Sequence, residues 1–341
     1  MFQTFKALTA DDAWQQVADQ FRCDNNGVRR QASRAGETRE ILHACVSISD
    51  PRQRWIASRM PPLNIAFALA EVIWIVRGRN DSAFVNYFSN AVRQFAGEGP
   101  TYHGAYGYRL RNTFGVDQLE RARATFVRNP DSRQVVLQLW DARQDLPDQM
   151  GREVDTDIPC NVTALLKVRN GRLEWMQIMR SNDVFRGLPY NLVQFTALQE
   201  VVAGWLGLEP GGYYHVSDSL HVYENCLENI RKATPIHVVR NTDSIAFPKL
   251  QSDAAFKILE NAVDSIASNQ VVAEAIQELA SAADLPTPFR NMLCVLCAEG
   301  LRRRRRYDLL DGVVGRCTNG AYVQLFEAWL SRWPQKESLV V

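Results

Sequence analysis

Met179-Arg180-Ser181-Asn182-Asp183-Val184-Phe185-Arg186-Gly187-Leu188-Pro189-Tyr190-Asn191 is the stretch on which the fold turns. It closes a run, residues 172–179, that reads as a strand. Asn170-Gly171 joins that run to residues 162–169, and this dipeptide tolerates the positive φ of a two-residue hairpin. Downstream, Gly187-Leu188-Pro189 punctuates the chain. Residues 190–206 then carry helical amphipathic spacing, with Gly207 placed just past the end. Hairpin, turn and helix in that order predict a strand that turns directly into a helix.

Working outward, residues 41–48 and 133–140 read as strands, and a further strand begins at 213–216. A helix starts at Thr9, whose hydroxyl caps a turn containing Asp12, with Trp14, Val17, Ala18 and Phe21 on one face. Residues 22–38 are polar and read as a loop. Residues 63–76 are apolar almost all round, which predicts a buried helix. From about residue 252 the texture becomes helical, with amphipathic segments near 252–267, 270–283, 289–300 and 319–333. The expected class is α+β: a mixed β-sheet core packed with helices over residues 1–250, and a helix-rich segment over 251–341 packed on that core.

Composition narrows the function. Of 341 residues, 46% are hydrophobic and 23% charged, the balance of a globular protein and not of a disordered chain. The formal net charge of +1 gives no global field towards DNA or membranes. Residues 1–12 lack the apolar core of a secretory signal. The longest apolar run, 63–76, falls short of the ~20 residues of a membrane span. Seven cysteines spread through a large chain do not suggest a disulfide framework, so a reducing cytoplasm is the expected setting.

Four segments place chemistry where packing alone would not ask for it. In Asp157-Ile158-Pro159-Cys160-Asn161, a cysteine follows proline on a stiff turn; by itself such a thiol is most often a small buried hydrophobe. Arg180-Ser181 pairs two groups suited to phosphate oxygens. His221 and Tyr223 are two apart and point to one side of an extended stretch. Glu71 sits with Trp74 in the apolar helix, where a carboxylate needs a partner or a function. Cys294 and Cys297 have CxxC spacing, but no second pair or histidine accompanies them, and core packing is the better reading.

Together these residues resemble the thymidylate synthase superfamily, pyrimidine-nucleotide C5 one-carbon transferases. Pro159-Cys160 is similar to its nucleophile motif, the run from Arg180 to Asn191 to its longest signature, and His221-Val222-Tyr223 to its sugar-binding motif. The match covers roughly residues 30–230. Weaker matches are Ser33-Arg34-Ala35-Gly36, Glu71 with Trp74, Ala105-Tyr106-Gly107 and Asp131-Ser132-Arg133.

The resemblance implies a role for each. Cys160 adds as a thiolate to carbon 6, which makes carbon 5 nucleophilic, and Arg180 nearby favours the thiolate. Arg34, Arg180 and Ser181 hold the phosphate of a pyrimidine nucleoside monophosphate. Arg133 reaches in from a neighbouring subunit, so a homodimer is implied. His221 and Tyr223 bind the sugar 3′-hydroxyl, and Asn191 reads the base edge. Asp183 holds the pterin of 5,10-methylenetetrahydrofolate, the one-carbon donor. Glu71 orders water and moves protons, and Tyr106 assists removal of the carbon 5 proton. No metal is implied.

Departures from the family pattern select among its chemistries. Asn161 stands where thymidylate synthases usually carry His after the nucleophile. Residues 90–95 contain no Trp where the family has a Trp-rich wall, and helices replace the C-terminal strands and closing tail. A looser seal favours water over hydride at the methylene intermediate. Hydroxymethylation is therefore the expected reaction, with reductive methylation of dUMP as the alternative. Asn191 leans towards uracil, since cytosine-specific relatives usually have Asp there; a cytosine nucleotide and either sugar stay open. The run Arg302 to Arg306 reads as a solvated helix face, with a rim for the folate tail or a phosphate contact as alternatives. A nucleic-acid- or partner-binding module built on it is a distant reading, disfavoured by net charge and the absence of interleaved aromatics.

Overall fold

The computed structural model describes residues 2–23, 27–33, 36–281 and 284–333. Its centre is a mixed seven-stranded sheet. The strands are β1 (Gln3–Ala7), β2 (Arg29–Ser33), β3 (Gly36–Ile48), β4 (Val136–Gln138), β5 (Asn161–Arg169), β6 (Arg172–Asp183) and β7 (Glu209–Tyr223). In space they run β1-β3-β7-β6-β5-β4, with β2 also paired to β3. β6 and β7 lie parallel, and their other neighbours, β5 and β3, are antiparallel to them.

The β5–β6 hairpin turns at Asn170 and Gly171, with φ of 51° and 70°, the two positive values a type I′ turn requires. Residues 22–38 are not all loop, as their polarity suggested: Arg29–Ser33 and Gly36–Glu40 form an antiparallel ladder. Every residue of β2 is exposed, so neither face needs to be apolar. The strand expected at 133–140 shrinks to Val136–Gln138; beyond it the N–H groups of Leu139 and Trp140 both donate to Val162 O, which ends the regular pairing with β5.

The longer helices are α1 (Ala10–Arg22), α2 (Ile65–Val76), α3 (Leu188–Trp205), α4 (Lys249–Ala267), α5 (Thr287–Arg303) and α6 (Gly320–Leu330). Thr9 caps α1 by accepting from Asp12 N, as its sequence foretells. All of α2 except Glu71 is buried. α2 lies between α3, which backs the sheet, and the C-terminal helices α4, α5 and α6. One continuous apolar core joins all of them. Among the described residues, no helix is long and apolar enough to cross a membrane.

The arginine run proves structural. Arg302 grips buried Glu299 with two bonds of 2.7 Å and stacks on Trp333. Arg303 bonds Glu299 and the Phe88 carbonyl. Arg304 bonds the Tyr87 hydroxyl and the carbonyls of Ile266 and Ser268. Arg306 pairs with Glu274 and Asp308. The solvated-face reading is therefore corrected for these four arginines, which staple the end of α5 to the body of the protein; Arg305 is exposed. Cys294 and Cys297 are 1% and 0% exposed, in keeping with core packing.

Candidate active site

The nucleophile candidate sits where a turn enters the sheet. Cys160 is half-buried just before β5. Arg180, on β6, reaches across to this turn. Its Nε donates to Pro159 O at 3.0 Å and its Nη2 to Ile158 O at 3.1 Å, while its backbone N–H donates to Cys160 O at 2.9 Å. Arg180 thus clasps the turn that presents the thiol and leaves its remaining guanidinium hydrogens for an anion.

Tyr106 faces Cys160, Asn161 and Glu71 from the far side, and burial raises its hydroxyl pKa. It can approach because Gly107 follows it: a Cβ there would lie 2.3 Å from Ile75 O on α2. Glu71 projects from the same helix. Its Oε2 is enclosed without a hydrogen-bond partner, and desolvation lifts its pKa to about 8, partly offset by the Gln194 side chain. Gln194 in turn accepts from Asn191 Nδ2 at 3.0 Å. Asn191 and Gln194 lie three apart on α3, so one helix face carries both; that spacing was the signal by which Gln194 could have been found.

A second group lies along the ends of β6 and β7. Ser181 Oγ is 3.5 Å from His221 Nδ1. His221 and Tyr223 stack edge to face at 5.4 Å, on one side of β7 as their spacing requires. Asp183 Oδ1 accepts the N–H groups of Phe185 and Arg186, both at 2.7 Å, which shapes the tight passage from β6 into α3. Its Oδ2 is buried without a partner, and burial raises the carboxyl pKa. Such an orphaned acceptor fits the ring N–H groups of a pterin.

Sequence reasoning missed Arg186, which sits between Tyr223 and Phe95 at 4.8 and 5.4 Å from their ring centres. Phe95 belongs to the segment without Trp. Asn90–Val92 and Arg93–Ala96 are short helical turns that bury none of their residues, and Phe95 is 39% exposed. A cavity of about 630 Å3, bordered by Ala96, Gly97, Tyr102, His103, Asp155 and Thr156, opens between this segment and the turn leading to Cys160. Arg133 is exposed ahead of β4 and joins neither group among the described residues. Arg34 lies outside the described residues. His215 is buried between Tyr213 and Asn182, and desolvation lowers its pKa to about 3.

Comparison with known proteins places the chain in a family. A family model described as thymidylate synthase matches residues 23–272. A deoxyuridylate hydroxymethyltransferase of Pseudomonas phage M6 is 40% identical over 169 residues, 49% of this chain and 47% of that protein. One of Bacillus phage SP01 is 34% identical over 203 residues, 56% of this chain and 52% of the other. A thymidylate synthase of Mycoplasma pneumoniae is 33% identical over 158 residues, 46% and 49% of the two chains. The chain spans about half the length of these curated relatives.

Proposed function

The chain belongs to the thymidylate synthase family, and from that premise we propose that it transfers a hydroxymethyl group from 5,10-methylenetetrahydrofolate to carbon 5 of a pyrimidine nucleoside monophosphate. Cys160 adds to carbon 6, and the electron pair moved to carbon 5 attacks the donor's methylene carbon. Tyr106 and Glu71 assist loss of the carbon 5 proton as tetrahydrofolate leaves, producing an exocyclic methylene conjugated with the ring. Water then bonds that carbon and gives up a proton towards Glu71. The electron pair returns through the ring and expels the Cys160 thiolate. Arg180, Ser181 and Arg34 hold the phosphate, His221 and Tyr223 the 3′-hydroxyl, Asn191 the base and Asp183 the pterin.

The observation that carries hydration over reduction is the open wall at Asn90–Ala96. Hydride transfer needs the folate held against the methylene until reduction, whereas water needs only access. A difference of ~1.4 kcal/mol between the barriers already partitions products tenfold.

We further read the active form as a homodimer with Arg133 crossing the interface. The support is the half-exposed sheet face bearing Val136, Met176 and Tyr214, together with the exposed position of Arg133. Residues 1–250 are read as the catalytic core and 251–341 as a helical buttress behind Glu71. Seven cysteines, none of them in a disulfide among the described residues, suit a reducing cytoplasm.

The test is mass spectrometry of dUMP, dCMP, UMP and CMP, each incubated with enzyme and methylenetetrahydrofolate. A gain of CH2O on one of them is expected. A gain of CH2 would overturn hydration, and no gain on any would overturn the transfer itself.

A further inference from the structure

Behind the nucleophile runs a polar chain that the chemistry above does not use. Trp175 Nε1 donates to Gln177 Oε1 at 3.0 Å. Gln177 Nε2 donates to Asn161 Oδ1 at 2.8 Å and to Thr163 O at 3.2 Å. Trp175 is 1% exposed, and Gln177 and Asn161 are fully buried.

A side-chain amide can turn over and exchange its donor for its acceptor. Here both ends of the chain forbid it. An indole N–H only donates, so Gln177 must show it an oxygen. The Thr163 carbonyl only accepts, so Gln177 must show it a nitrogen. Asn161 must then spend Oδ1 on Gln177 and direct Nδ2 the other way. That direction is the site: Nδ2 faces the Tyr106 hydroxyl, which can take one of its two hydrogens and leaves the other without an acceptor among the described residues. A buried N–H with no acceptor is costly, and an acceptor on a ligand relieves it.

We propose that Trp175 and Gln177 are positioning residues that hold Asn161 as a fixed hydrogen-bond donor to the bound base, so that the site takes a pyrimidine with a carbonyl at carbon 4 and rejects one with an amino group there. The inference rests on the proposed function. With Cys160 bonded to carbon 6 and Tyr106 beside carbon 5, carbon 4 is the next position along that edge. Uracil offers O4, which accepts from Asn161. Cytosine offers N4 hydrogens, which meet the amide hydrogens head on. Asn191 completes the pair: the bond from its Nδ2 to Gln194 fixes its orientation, so that Oδ1 is turned to accept from N3–H of uracil and the second Nδ2 hydrogen stays a donor. One fixed donor and one acceptor match uracil and mismatch cytosine at both points.

The test compares equilibrium binding of the uracil and cytosine nucleotides of one sugar series, without folate, to the full-length wild type, Trp175→Phe and Gln177→Glu. Trp175→Phe removes the N–H that fixes Gln177 while keeping an aromatic ring. Gln177→Glu, when ionised, presents oxygens only and turns Asn161 over. We expect the wild type to prefer uracil, Gln177→Glu to lower that preference at least tenfold, and Trp175→Phe, which leaves the Thr163 carbonyl as the remaining anchor of Gln177, to lower it more than twofold but less than Gln177→Glu does. Circular dichroism melts identify any variant that fails to fold; if Gln177→Glu is one, Trp175→Phe decides, with a fall in preference of more than twofold expected. A merely structural role would weaken both nucleotides alike and leave their ratio within about twofold of wild type; that result, or a wild type preferring cytosine, overturns the proposal while one-carbon transfer stands. A wild type that neither binds nor converts any pyrimidine nucleotide removes the proposed function, and this inference with it.

Discussion

Replacing Glu71 with Gln should make the protein more stable as it makes it less active, and the gain should depend on pH. The carboxyl is lifted from its ordinary 4.5 to about 8 by desolvation. A group whose folded pKa lies above its unfolded one contributes most below the unfolded value and loses that contribution as pH rises through the folded one. At ~1.4 kcal/mol per pKa unit, the raised pKa of Glu71 lowers folding stability by up to ~5 kcal/mol above pH 8, where the buried carboxylate is ionised, and by ~3 at pH 7 and ~1 at pH 5, where folding must take up its proton. These are upper bounds, because the residue keeps some accessible surface. Gln cannot ionise and retains a hydrogen-bonding group for Gln194. Urea unfolding at pH 5, 7 and 9 should therefore show Glu71→Gln gaining on wild type with pH, while turnover falls by ~10²–10⁴ as for a lost acid–base group. A stability difference independent of pH would refute the reasoning, and an unchanged rate would leave Glu71 without a role in proton transfer.

Cys160→Ala should abolish turnover yet still bind nucleotide in a calorimetric titration, since the phosphate and base contacts remain; substantial residual turnover would remove Cys160 as nucleophile. Mixing inactive Cys160→Ala and Arg133→Ala chains should restore activity, because one site of the mixed dimer keeps both residues; no rescue despite demonstrated subunit exchange would place Arg133 outside the partner's site. Arg302→Ala strips the two-bond partner from buried Glu299 and should lower unfolding free energy by ~2–4 kcal/mol. DNA retention on filters should stay negligible for wild type and variant alike at low and high salt. Wild-type retention that Arg302→Ala reduces would revive the nucleic-acid reading.

What could be read from the sequence followed from local rules. Asn170-Gly171 fixed a hairpin because its backbone needs two positive φ values, and Thr9 fixed a helix start because its oxygen reaches the N–H three residues on. Glu71 was visible as a charge in an apolar helix, and His221 with Tyr223 through the period of a strand. What stayed hidden depended on solvent or on distant partners. β2 shows no alternation because neither of its faces is buried. Glu299 stands three and four residues before Arg302 and Arg303, so that pairing was within reach of helix spacing. The Phe88, Ile266 and Ser268 carbonyls that complete the arginine staple come from far along the chain. Trp175 and Gln177 alternate inward on β6, but nothing local says that Asn161, across the β5–β6 ladder, is their partner.

The central claim is that water, and not hydride, ends the reaction. The direct measurement is turnover in oxygen-18 water, with the nucleotide analysed by mass spectrometry while absorbance at the dihydrofolate band is followed. The account predicts a 5-hydroxymethyl nucleotide carrying the label on its new hydroxyl, and no dihydrofolate. A methylated, unlabelled nucleotide formed with one equivalent of dihydrofolate would contradict it.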